Sequence, residues 1–265
     1  MTTTIDLHRT TPSPEPRPEP RPASVVSVRA TAGPMPQDFP AEQYRVLGHI
    51  VEALGKTGRK VIAVSSPVGG DGKTTTTLNL ARTLARSPDT RVLLIDADLR
   101  RGSMGDRLGV GRSASRGLAG ALGDSESLDA VVRRLPALNL SVVLSGRCPA
   151  MPYEALHSLR MGELLHEARE SYDYVLVDTP PVVPVADVRA LSPWVDGFFL
   201  VVSAHYTPRE LLDEALAAMD PEKVVGIVYN GDDELLSRRY RYHYNYYAEP
   251  APRPGLWASL FGTRR

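Results

Sequence analysis

Cysteine is nearly missing: Cys148 is the single one in 265 residues. That excludes an internal disulfide and fits a reducing compartment. Charge imbalance is missing as well, with 31 Lys and Arg against 31 Asp and Glu. Nothing in that total selects nucleic acid or an anionic membrane as a partner. No apolar run approaches the roughly 20 residues that cross a bilayer; the most apolar stretch, "VDGFFLVVSA", is far shorter. Met1 is followed by Thr, Asp, His and Arg rather than an apolar run, so no secretory signal is visible. The six histidines show no metal-ligand spacing. A soluble, cytoplasmic protein is expected.

Proline, by contrast, is plentiful and unevenly placed. Nine of the 23 prolines lie in residues 1–40, including the run "PSPEPRPEPRP". Proline fixes φ and lacks an N–H donor, so this segment is expected to be an extended, disordered tether; a proline-motif ligand for a partner is the other reading. A folded domain is expected over 41–235, opening with "AEQYRVLGHIVEALG". That pattern places Val46, Leu47, Ile50, Val51 and Leu54 on one helical face, with Gly55 as the stop. From Lys60 on, short β-branched runs alternate with helical stretches. Strands are expected at "KVIAVS", "RVLLID", "LSVVLS", "YVLVD", "GFFLVVS" and "VVGIVYN", and helices over 74–86, 153–169 and 209–219. Several strands are apolar throughout, as when helices cover both faces of a sheet. The expected fold is a doubly wound α/β domain with a mainly parallel sheet.

Three motifs carry chemistry. The first is "VSSPVGGDGKTTTT", with a strand pattern before it and a helical one after. Glycines let backbone N–H groups curl around phosphate oxygens. Lys73 would add charge at the β- and γ-phosphates, the Thr74 hydroxyl would bind Mg²⁺, and the helix would present its positive N-terminus. The candidate nucleotide-binding residues are therefore Gly69, Gly70, Asp71, Gly72, Lys73, Thr74 and Thr75. Pro67 stands where the general P-loop pattern has its first glycine, but the later glycines build the cradle. A dinucleotide fold would use Gly70, Gly72 and Asp96 instead, yet it wants a small residue near Thr75 and has no use for Lys73.

The second motif is "VLLIDADLR", which sets Asp96 and Asp98 at the C-terminal edge of a buried strand, at the mouth of a ligand crevice, with Arg100 close behind. Strand geometry at i and i+2 points the two acids to one side; Mg²⁺ or a shared proton would relieve their repulsion. The third is "YDYVLVDTPP", where Asp178 ends a strand ahead of two prolines and is placed to hold a water on Mg²⁺. Neither an H-R-D loop nor a D-F-G triplet occurs, which excludes kinases of the eukaryotic type.

With these motifs in this order, the chain resembles the bacterial tyrosine kinases, P-loop proteins of capsule and exopolysaccharide production. The likeness rests on Gly70-Asp71-Gly72-Lys73-Thr74, on Asp96, Asp98 and Arg100, and on Asp178 followed by Thr-Pro-Pro. Related partition and division-site ATPases carry a signature lysine where Val68 stands here. The resemblance implies that Lys73, Asp96, Asp98 and Asp178 are catalytic, with Asp96 the base facing a tyrosine hydroxyl. It implies that Thr74, Asp98 and Asp178 form the metal shell, and that ATP and Mg²⁺ are used for in-line γ-phosphoryl transfer. Implied partners are a membrane polysaccharide co-polymerase acting as activator at the inner face of the membrane, a tyrosine phosphatase and a second copy of the chain, with no nucleic acid. Glu42 and Arg45 match the family's self-association motif, whose second basic residue is replaced by Gly48.

Beyond 235, "YRYHYNYY" holds Tyr240, Tyr242, Tyr244, Tyr246 and Tyr247, five of the chain's 11 tyrosines. The alternation would suit an edge strand, but "AEPAPRP" follows and cannot continue a sheet, so a flexible tail over 236–265 offering hydroxyls fits better. It resembles the family's autophosphorylated cluster. The final "GLWASLFGTRR" sets Leu256, Trp257, Leu260 and Phe261 beside two arginines, a membrane or partner contact or else a loosely packed end. Two other functions remain open from the residues: a P-loop ATPase of the partition type, and a nucleotide-responsive adaptor without catalysis.

Overall fold

The apolar runs become the inner strands of one sheet. In the computed structural model, residues 24–27, 39–111, 117–123 and 126–231 are described. The strands are β1 (Ser24–Ser27), β2 (Val61–Ser65), β3 (Val92–Asp96), β4 (Arg133–Leu135), β5 (Leu140–Val143), β6 (Tyr174–Asp178), β7 (Gly197–Ser203) and β8 (Val224–Asn230). They lie in the order β1-β8-β7-β2-β6-β3-β5-β4. Every pairing is parallel except β4 with β5.

The helices are α1 (Phe39–Gly55), α2 (Lys73–Leu84), α3 (Met104–Arg107), α4 (Leu118–Gly123), α5 (Leu128–Val131), α6 (Pro152–His157), α7 (Leu159–Ser171), α8 (Asp187–Leu191) and α9 (Arg209–Ala217). Side chains alternate across a strand, and here both sides are covered. Val61 and Ala63 of β2 pack with Leu164 and Leu165 of α7, while Ile62 and Val64 pack with Leu47, Val51, Leu80 and Leu84 of α1 and α2. This is the doubly wound, mainly parallel fold expected from the sequence. No helix among the described residues is long and apolar enough to cross a membrane.

Four details differ from the sequence reading. The buried face of α1 is Tyr44, Leu47 and Val51; Val46 is 45% exposed, because neighbouring helical positions point about 100° apart. The helix expected over 153–169 is broken between α6 and α7 at Ser158, whose extended backbone lets its Oγ accept from the Met161 N–H. An antiparallel edge strand, β4, was not anticipated. Within the expected tether, Ser24–Ser27 runs beside Gly226–Tyr229 of β8 as the other edge. The last two residues of that tether, Phe39 and Pro40, open α1; its remaining residues and the tyrosines of 240–247 lie outside the described residues, as do Leu256, Trp257, Leu260 and Phe261.

Candidate active site

The sheet order puts β2, β6 and β3 side by side, so the loops after them meet at one end. Asp96 and Asp178 are direct register partners across β3 and β6. The loop after β2 is stitched to the segment after β6. Thr179 N–H donates to the Val64 carbonyl at 3.1 Å, Val182 N–H to Ser66 at 2.8 Å and Val183 N–H to Pro67 at 3.2 Å. Pro67 is thus anchored through its carbonyl. Gly72 caps α2 in the left-handed region, at φ 94°, and a Cβ there would collide with the Asn230 amide. No other residue type fits both demands.

A cavity of about 670 Å³ opens at this end. Gly69, Gly70, Gly72, Lys73, Thr74 and Thr75 line it, together with Asp98, Arg100, Arg101, Arg107 and Asn230. Asp71 is the exception among the expected nucleotide contacts. It is fully buried, and its carboxylate accepts from the Thr207 hydroxyl at 2.6 Å and from the Val68 N–H at 3.3 Å. Its side chain braces the loop from behind, and Asn230 Nδ2 adds a bond to the Asp71 carbonyl at 2.9 Å.

Lys73 Nζ stands 3.4 Å from Asp98 Oδ2. Thr74 donates its hydroxyl to Asp178 Oδ2 at 2.7 Å. The other oxygen of Asp178 is buried with no partner, an expensive state for a carboxylate. Burial, above all, pushes Asp178 up to about 7, against the pull of Lys73 and Thr74 and with the help of Asp96 and Asp98. Asp96 is pushed up to about 6, again mainly by burial. An orphaned oxygen beside a hydroxyl, with two further carboxylates near, suits a divalent cation that brings its own waters. Among the described residues no cluster of three or more His, Cys, Asp or Glu would hold a metal by itself, so phosphate and water must complete any shell. Asp96 is buried, and each of its oxygens accepts one backbone N–H, from Asp98 at 3.2 Å and from Met104 at 3.3 Å. Asp98 is the acid that reaches the cavity wall.

Three residues were not found from the sequence. Asp187, buried at the start of α8, takes both Nε and Nη2 of Arg100 at 2.7 and 3.1 Å. Asn230 and Arg107 are the others. None belongs to a local motif; each is recruited by a partner far away in the chain.

A family model described as an AAA domain matches residues 59–206. Tyrosine-protein kinase YwqD of Bacillus subtilis is 35% identical over 212 residues, which is 79% of this chain and 87% of that protein. The chain belongs to the bacterial tyrosine kinases. Tyrosine-protein kinase ptk of Acinetobacter johnsonii is 36% identical over 68% of this chain, and the matched part is 24% of that longer protein. The kinase domain of the Escherichia coli tyrosine kinase ETK superposes with a TM-score of 0.72 at 25% identity, covering 88% of this chain and 95% of that one. In this bacterial tyrosine kinase the P-loop, the β3 acids and the β6 acid come together as the motif order implied.

Proposed function

We propose that this chain transfers the γ-phosphoryl group of ATP to tyrosine, and that the tyrosines at 240–247 of its own tail are its substrate. The observation that carries the proposal is where the chain leaves the sheet. β8 ends at Asn230, which lines the phosphate cavity, and Tyr240 follows ten residues later in the sequence. Ten residues extend to about 35 Å at most, so the first hydroxyl is tethered within reach of this cavity or a neighbour's.

The chemistry asked of the protein is positioning and charge neutralisation. The tyrosine oxygen bonds to the γ-phosphorus, the bond from that phosphorus to the bridging oxygen breaks, and ADP leaves. Lys73 and the amides of Gly69 to Thr75 hold the phosphates in line. Thr74 and Asp178, with Asp98 beside them, would hold Mg²⁺, which neutralises phosphate charge when bound. The phenolic proton passes to a carboxylate. We assign that step to Asp96, whose elevated pKa of about 6 suits a base working near neutral pH. Each of its oxygens accepts one backbone N–H, from Asp98 or Met104, which leaves a lone pair on each for that proton.

Capsule or exopolysaccharide control, activation by the cytoplasmic end of a membrane co-polymerase and reversal by a phosphatase complete the reading. Self-association is supported by an apolar stripe on the outer face of α1, formed by Val46, His49, Ile50, Ala53 and Leu54, with Thr57 just past the helix end. Phosphates added to the tail bring close to two negative charges each, which would loosen such an assembly. The test is mass-spectrometric mapping of phosphate after incubation with Mg²⁺ and ATP, with and without the activator's cytoplasmic segment. Phosphate on 240–247 that is lost in Lys73→Ala is expected. Nucleotide hydrolysis with unmodified tyrosines would favour a partition-type ATPase instead, and binding without turnover an adaptor.

A further inference from the structure

Arg100, Arg101 and Arg107 line the phosphate cavity together with Lys73, and two of these arginines differ in how their charge is met. Arg100 gives two donors to the buried carboxylate of Asp187 at 2.7 and 3.1 Å, so a full negative charge answers it. Arg107 gives Nη1 to the hydroxyl of Thr75 at 2.7 Å. That partner is neutral, and among the described residues no carboxylate forms an ion pair with Arg107. A guanidinium cannot be deprotonated in a protein and carries five donors in a rigid fork. One hydroxyl occupies one donor and leaves the charge for an anion.

The place of that charge is specific. Thr75 lies in the first turn of α2, directly after the Lys73-Thr74 pair, where helix amides face phosphate. Lys73 is drawn toward Asp98 on the side of the β3 and β6 acids, and a P-loop lysine serves the β- and γ-phosphates. Arg107 stands over Thr75 instead. Its base is fixed, since the Met104 N–H that opens α3 donates to Asp96 at 3.3 Å and the Leu108 N–H closes on Met104 at 3.0 Å.

We propose that Arg107 is a nucleotide-binding residue, a cation held by Thr75 against the phosphates that are not transferred. It rests on the kinase reading only in requiring nucleotide at the P-loop. The phosphates left on ADP are common to substrate and product, so Arg107 strengthens both complexes alike. Such uniform binding lowers KM without changing kcat.

The test is calorimetric titration of the full chain with Mg²⁺-ADP and with a non-hydrolysable ATP analogue, for wild type, Arg107→Ala and Arg107→Lys. Alanine should weaken both ligands about tenfold, as loss of one charge-assisted contact implies. Lysine should restore part of the loss. Because Arg107 is exposed, the gap should narrow in high salt. Where turnover is followed, KM for ATP should rise with kcat within about twofold of wild type. Equal affinities in wild type and Arg107→Ala would overturn the role of Arg107 and leave the kinase reading standing. A loss confined to the ATP analogue, or to the KM of a tyrosine peptide, would also overturn it. Failure of wild type to bind either nucleotide would sink both.

Discussion

Asp178 sits inside the protein with one oxygen on Thr74 and the other on nothing. Its pKa of about 7 and that of Asp96, about 6, lie well above their ordinary 3.8. The unfolded chain releases these protons near pH 4, whereas the folded protein keeps them to pH 6 or 7. Between those limits the native state binds more protons, so metal-free stability falls as pH rises across that window. Asp178→Asn removes the charge while its amide oxygen can still accept from Thr74. The metal-free variant should therefore melt higher than wild type at pH 8, with the difference closing toward pH 4. Calorimetry in a chelator measures it; a variant less stable than wild type at pH 8 would contradict the assignment. If Asp96 is the base, kcat should rise with pH through an apparent pKa near 6, and Asp96→Asn should abolish that limb. A second residue-scale test concerns the brace behind the P-loop. Thr207→Val strips the Asp71 carboxylate of its 2.6 Å donor and should cost about 1–3 kcal/mol, with a raised KM for ATP. Thr207→Ser should restore both.

Among the elements, α1 shows most clearly how packing decides. Gly48 is buried against α2, and a Cβ there would sit 3.3 Å from Thr83 Cγ2. Thr83 would have to give way for any Cβ there, and the long basic side chain of the self-association motif would press further on α2. Gly48→Arg should force α1 off α2 and lower stability by about 1–3 kcal/mol in a denaturant melt. Val46→Asp, on the exposed stripe, should leave the melt unchanged and reduce self-association in sedimentation. The six inner strands were legible in the sequence because a strand buried on both faces reads as an unbroken apolar run. β4 was not, since "RRL" looks like surface and becomes a strand by pairing with β5. The P-loop and the two acid motifs were legible because strand, turn and helix follow one another locally. Asp187, Asn230 and Arg107 were hidden: their partners lie 87, 159 and 32 residues away. The inward turn of Asp71 and the tying of Asp96 by backbone amides depend on the folded loops, which motif spacing does not specify.

At the scale of the whole molecule, parallel strands send the P-loop, both acid motifs and the end of β8 to one pole. Nucleotide site and tail therefore start from the same place. If the tail is served by a neighbouring copy, an inactive Lys73→Ala chain should still be labelled when mixed with a chain whose five tail tyrosines are phenylalanine. The most direct measurement follows ADP released and phosphotyrosine formed in one reaction of the full chain with Mg²⁺-ATP and the activator segment. The account predicts close to one phosphotyrosine per ADP until the cluster at 240–247 is filled, and neither product in Lys73→Ala. ADP accumulating steadily with no phosphotyrosine would contradict it.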